Sequence, residues 1–323
     1  MRRPPWPEIA LCLALLGLVG LSCSLGASHM PPWRLFSDDA TMARLARQIV
    51  IAIRLPRTVL ALLVGASLGL SGAALQALLR NPLADPGVLG ISATASLGAV
   101  LAFYFGLQSV VAGGIGGGLV AVAILVLLAG RRAGTLTLLL AGVALSSFAV
   151  ALTSLALNLA PSPLAAYEIL FWLLGSVADR SWPQVGMVLP FILAGWALLA
   201  GTARGLDALT LGEDVAHSLG INLHRLRWAV VAGTALCVGA SVAVAGAIGF
   251  VGLVVPHLMR PLVGHRAARL LPACALAGAV LLLGADVVVR LLSLGAELKL
   301  GVATALVGAP FFLLQILRMR ERQ

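Results

Sequence analysis

An all-α bundle that crosses a membrane about ten times is the fold predicted here, and three observations predict it. Of 323 residues, 60% are hydrophobic and 11% charged, with a mean hydropathy of +1.05; soluble domains carry roughly a quarter charged residues. The apolar residues come in runs of about twenty, the length that spans a hydrocarbon core of roughly 30 Å. The 36 glycines suit helices that must approach closely in lipid, where small residues make the contacts. The formal charge of +10 does not point to nucleic acid, because the basic residues sit in short clusters between apolar runs, as membrane topology requires.

Ten spans are expected, at 9–27, 58–79, 88–106, 109–130, 136–159, 185–204, 228–247, 250–264, 270–292 and 299–317. The first follows Arg2 and Arg3 and runs into Gly26-Ala27-Ser28, which imitates a secretory signal; an uncleaved first span is expected, since many further spans follow. The eighth is short and contains Pro256 and His257, so it is expected to be broken or tilted. Between the fifth and sixth, 167–177 is apolar but too short to cross and suits an interfacial or re-entrant helix.

Ten spans put both termini on one side. With the N-terminus cytoplasmic, fourteen of the 22 basic residues fall inside, among them Arg80, Arg131, Arg132, Arg204, Arg225, Arg227, Arg260, Arg266 and Arg269. That bias predicts cytoplasmic N- and C-termini. No linker or clear repeat divides the chain, so 1–323 reads as a single transmembrane domain. Cys12, Cys23, Cys237 and Cys274 lie in or beside apolar runs and form no CxxC, so they read as packing or lipid-facing residues rather than a disulfide framework or metal site.

Neither of the usual energy sources is visible. No GxxxxGK[ST] occurs; the glycine run at 113–118 lacks the lysine, so there is no loop to cradle phosphate. Ion-coupled carriers place carboxylates within spans, and here only Asp286 is a candidate. Arg290, four residues on, makes a local ion pair its simplest partner. A separate ATPase subunit is therefore expected. Gly69-Leu70-Ser71-Gly72 resembles the GxSG of intramembrane serine proteases, with His257 as a possible dyad partner. Gly65 and Gly69 also form a GxxxG, which explains the glycines through helix packing. At Asn81-Pro82-Leu83-Ala84-Asp85-Pro86-Gly87 two prolines and a glycine end one span and begin the next, a rigid turn at the cytoplasmic mouth.

Four stretches occur together in one order: Arg54-Leu55-Pro56-Arg57, the turn at 81–87, Gly249-Phe250-Val251-Gly252-Leu253-Val254-Val255-Pro256-His257, and Gly308-Ala309-Pro310-Phe311-Phe312. In these the chain resembles the FecCD permeases of type II ABC importers, which carry iron–siderophores, haem or cobalamin. The resemblance runs from about Arg54 to the C-terminus. It departs at Ala247 and Lys299, where the family often has proline; both changes bear on local helix geometry.

The resemblance implies roles for particular residues. Arg54, Arg57 and Arg290 match positions that receive acidic knobs of a periplasmic binding protein, with interfacial snorkelling as the plainer reading. Asn81 and Leu83 match the cytoplasmic gate. The segment 205–227 lies between the sixth and seventh spans, and in it Leu211, Val215 and Leu219 fall at i, i+4 and i+8, one apolar stripe. Glu213 and Asp214 lie off that stripe and Gly220 reads as a stop. The segment resembles a coupling helix that sits in a groove of the ATPase; a loop folded on its own bundle is the alternative. Arg180, near the outer mouth, is a candidate ligand contact or a surface anchor.

The expected assembly is this permease with a second, identical or different, permease subunit, two ATPase subunits and a periplasmic binding protein in a bacterial inner membrane. ATP and Mg belong to the partner ATPase; no cofactor, metal site, catalytic residue or nucleic-acid partner is expected of this chain. Ferric siderophore is the expected cargo, with haem or cobalamin as alternatives by the same mechanism. A secondary carrier or an intramembrane protease would be the rival classes. The first is disfavoured by scarce membrane carboxylates, the second by motif quality.

Overall fold

The computed structural model describes residues 5–26, 30–106, 109–129, 135–292 and 298–320. Arg2, Arg3, Ala27, Ser28, Arg131 and Arg132 of the expectations above lie outside the described residues. Within them the chain is all helical. In chain order the helices are α1 (Trp6–Ser24), α2 (Ala40–Arg47), α3 (Leu55–Leu78), α4 (Ile91–Tyr104), α5 (Val110–Ala129), α6 (Thr135–Asn158) and α7 (Pro163–Leu173). Then come α8 (Trp182–Gly201), α9 (Ala203–Leu209), α10 (Glu213–Ser218), α11 (Leu223–Ala245), α12 (Val251–Val263), α13 (Ala267–Leu292) and α14 (Leu300–Arg320).

Among the described residues seven helices are long and apolar enough to cross a membrane. They are α1, α5, α6, α8, α11, α13 and one continuous helix of 39 residues, Ala40–Leu78, that joins α2 to α3 through a π-helical stretch, Gln48–Arg54. The apolar helices α4, α7, α12 and the Leu300–Leu314 part of α14 are shorter. Each expected span coincides with a helix, but three differences have physical causes. The second begins far earlier than position 58, because Asp39 caps α2 by accepting bonds from the amides of Thr41 and Met42, satisfying donors that a bare helix start leaves open.

The interfacial helix begins at Pro163 instead of 167. Ser162 caps it, accepting from the Ala165 amide, and Pro163 takes the first turn, where its missing N–H costs nothing. Finally, α12 runs unbroken through Pro256. The irregular stretch lies just before it, at 246–250, where Gly246 (φ 71°) and Phe250 (φ 67°) take left-handed backbone.

α3 is the hub, packed against α13, α11, α12 and α8, and nearly all its residues are buried. Close approach is built from glycine. A Cβ at Gly65 would overlap the Gly278 carbonyl of α13, one at Gly69 the Cys274 carbonyl, and one at Gly72 the Gly252 carbonyl at the head of α12. Four glycines of 113–118 serve the same purpose in α5. Gly113 and Gly117 face α4, and Gly114 and Gly118 face α11.

Polar side chains tie the ends. Arg269 of α13 donates to Glu8 of α1 at 2.6 Å, and Asp207 of α9 accepts from the Ala267 amide at 2.5 Å, capping α13. At the opposite end of α13 stands Arg290. The two ends of the bundle are called below the Arg290 end and the Arg269 end.

Candidate functional site

The expected site residues fall at the two ends of the bundle. At the Arg290 end, Asp286 is 1% exposed and accepts from both sides. Arg57 of α3 donates Nη2 at 2.8 Å and Nε at 3.0 Å, and Arg290 closes the i, i+4 pair. The local pair foreseen from sequence is present, and Arg57 makes it a triad across 229 residues of chain. Arg290 also donates Nη1 to the Ser22 carbonyl at 3.0 Å.

Arg54 lies one turn before Thr58 and is 4% exposed. Its Nη1 reaches the carbonyls of Cys23 (2.8 Å), Ser24 (3.0 Å) and Met30 (2.7 Å), so it gathers the end of α1. Thr58 Oγ1 donates to the Arg54 carbonyl at 2.8 Å and sits 2.7 Å from Ser22 Oγ. Arg54, Arg57 and Arg290 thus stand at one end of the bundle. They are engaged from within, instead of standing out as exposed interfacial side chains. Arg57 and Arg290 flank the Asp286 carboxylate, and Arg54 binds backbone carbonyls beside them.

Arg180 lies at the same end. Its Nε donates to the Val244 carbonyl at 2.7 Å, at the C-terminus of α11, where a cation meets the negative end of the helix dipole. Burial lowers its pKa, and neighbouring Asp179 partly restores it. Trp182, two residues on, donates Nε1 to the Ile51 carbonyl at 2.9 Å.

At the Arg269 end the turn after α3 is held by its own side chains. Asn81 Oδ1 accepts from the Leu83 amide at 2.9 Å, and Asp85 Oδ1 from the Gly87 amide at 2.8 Å. Burial raises the Asp85 pKa, and the Gly87 bond opposes it. These bonds fix a rigid loop from which Leu83 projects, 40% exposed. Gly90 (φ 73°) then closes on the Gly142 carbonyl of α6, so the loop is braced on a second span.

The apolar stripe stands on α10 and its flanks. Only Glu213–Ser218 is helical; Leu211 precedes Gly212 (φ 117°), and Leu219 leads into Gly220 (φ 81°). Leu211 is 65% exposed, Val215 41% and Leu219 61%, whereas Ala216 on the opposite side is fully buried. Glu213 pairs with Arg227 of α11 at 2.9 Å, which orients the short helix, and Asp214 is exposed.

A network that sequence reasoning did not find lies between these ends. Arg260 donates Nη2 to Gln76 Oε1 at 2.7 Å, and Gln76 Nε2 reaches the Gly252 and Leu253 carbonyls at 3.3 and 3.4 Å. It anchors the start of α12 to α3. Its partners are 176 or more residues apart, so no local spacing could reveal it. The GxSG serine, Ser71, is fully buried in the α3 packing, while the His257 ring stands edge-on to Phe311 of α14, with centroids 5.7 Å apart. Gly72 in that motif is explained by the head of α12.

A glycine-packed bundle of apolar helices with polar, rigid turns at both ends has the build of a multi-pass membrane protein. The sequence pattern of the FecCD transport family matches residues 13–318, and the chain belongs to that family of ABC-transporter permease subunits. It is 42% identical to the vitamin B12 import system permease protein BtuC of Vibrio cholerae, over 94% of this chain and 93% of that one. It is 40% identical to the ABC transporter permease protein YvrB of Bacillus subtilis, over 96% and 92%. A solved structure described as an inward-facing conformation of a metal-chelate type ABC transporter superposes with a TM-score of 0.88. Its sequence is 33% identical, and the match covers 98% of this chain and 100% of that one.

Proposed function

We propose that this chain is one permease subunit of an ATP-driven, binding-protein-dependent importer in the inner membrane of a bacterium, and that its cargo is cobalamin. The observation that carries the cargo is the 42% identity, end to end, with a vitamin B12 import permease. The expected ferric siderophore gains no specific support of this kind, and cobalamin was among the alternatives. A second permease subunit, identical or different, completes the pathway, and two ATPase subunits supply the ATP and Mg chemistry.

In this reading the Arg290 end is periplasmic and the Arg269 end cytoplasmic. The seven long helices together with α4, α12 and α14 make ten crossings, α7 stays at the interface, and both termini are cytoplasmic. The exposure of Leu211, Val215 and Leu219 supports docking on the ATPase, because a stripe folded on its own bundle would be covered. Asn81 and Leu83 form the cytoplasmic gate, held at a fixed reach by the turn.

Docking of the binding protein falls at the periplasmic end. The gathering of Arg54, Arg57 and Arg290 at that end supports docking of an acidic partner, and the three also hold the ends of α1, α3 and α13. The Nε of Arg180 is committed to α11, so any contact with ligand uses the rest of its guanidinium.

The test is the cargo itself. The cognate binding protein, loaded with cyanocobalamin, should dock on this permease in proteoliposomes and stimulate its ATPase. Stimulation by a ferric siderophore complex and none by cyanocobalamin would move the cargo back to iron.

A further inference from the structure

Most glycines of the bundle seat a neighbouring backbone, but Gly284 of α13 does not. The nearest atom to a Cβ built there is Leu18 Cδ1, 3.9 Å away. Gly284 instead opens onto a crevice of about 430 Å³ between α13 and α14, walled by Leu18, Phe250, Val288, Thr304 and Val307 among others. The space exists because α12 begins only at Val251 and the chain before it is not helical. Among the described residues no helix continues that column toward the Arg290 end.

Two features decide what can occupy it. Among the described lining residues Thr304 is the one with a polar side chain, and its Oγ1 already donates to the Gly301 carbonyl at 3.0 Å, so the described walls offer too few polar partners to hold water or a polar ligand. Val288 and Val307 at the rim are 52% and 69% exposed, so the crevice opens sideways. It does so at the depth of the apolar span Ala267–Leu292, where the surrounding medium is hydrocarbon. An empty void of this size would forfeit the dispersion contacts of its walls.

We propose that this crevice is a binding site for one acyl chain of a membrane phospholipid, taken from the leaflet at the Arg290 end. The chain lies along α14, which is otherwise seated on its neighbours by glycines: Gly308 against the Phe250 side chain and Gly301 against the Leu174 and Ala247 carbonyls.

The test uses the full-length permease in vesicles of phosphatidylethanolamine and phosphatidylglycerol doped with a phospholipid that carries a mid-chain diazirine. After illumination, labelled peptides are mapped by mass spectrometry. Labelling at Gly284, Val288 and Val307 should exceed that at Leu13 and Leu16, which are 64% and 70% exposed on α1. Gly284→Leu should abolish the excess and leave α1 labelling unchanged; Ala303→Leu, on the facing wall, should do the same should the first variant fold poorly. Crevice labelling at or below the α1 level overturns the proposal, including the case in which a second copy of the chain seals the opening. So does an excess that survives either filled variant.

Discussion

Asp286 is held between Arg57 and Arg290 at the Arg290 end, and it is 1% exposed. Its removal leaves two arginines in a part-buried setting without their counter-charge, and breaking a buried pair costs about 3–5 kcal/mol. Asp286→Ala should therefore lower the thermal stability of the purified permease sharply, and thermal-shift measurement in detergent checks it. Reversing Arg57 breaks the same triad, so a docking defect in Arg57→Glu is informative only beside a stability measurement. At the other end Leu83 makes a different prediction. Its side chain projects from a loop held by Asn81 and Asp85, so Leu83→Ala should leave stability near wild type while raising ligand leak or uncoupled ATP hydrolysis. Wild-type leak and import in that variant would return the turn to a purely structural role.

α3 shows what glycine does in a helix hub. Gly72→Ala places a methyl on the Gly252 carbonyl, and overpacking of this kind costs about 1–3 kcal/mol. Gly17 of α1 has nothing within 4 Å, so Gly17→Ala should be neutral, and denaturation midpoints of the two variants give the comparison. The short helix α10 is tested by Val215→Asp. In an apolar contact with the ATPase the new charge has no partner, and burying it is costly enough for the interface to reject it. ATPase co-purification should fall while the thermal stability of the isolated permease holds, because Val215 is 41% exposed there. A destabilised permease that keeps its ATPase would overturn the coupling role.

The helical membrane class and the family were legible in the sequence because hydropathy is local and the motifs are long. The packing glycines Gly65 and Gly69 were legible for the same reason. The partners of the arginines were not. Arg54 is held by backbone carbonyls of Cys23, Ser24 and Met30, which leave no mark in residue types, and Arg57 meets Asp286 across most of the chain. The extension of α3 back to Ala40 was hidden by Arg44 and Arg47, which lower hydropathy without stopping a helix. The irregular stretch before α12 depends on the conformation of Phe250, a residue type that gives no hint of left-handed backbone.

The proposed function is that of an importer that moves its cargo only when an ATPase drives it. The most direct test is uptake of labelled cyanocobalamin by proteoliposomes that contain this permease, its ATPase and its binding protein. Accumulation should require ATP and the binding protein, and should stop when the ATPase is omitted. Accumulation driven by a proton or sodium gradient in the absence of the ATPase would contradict the account.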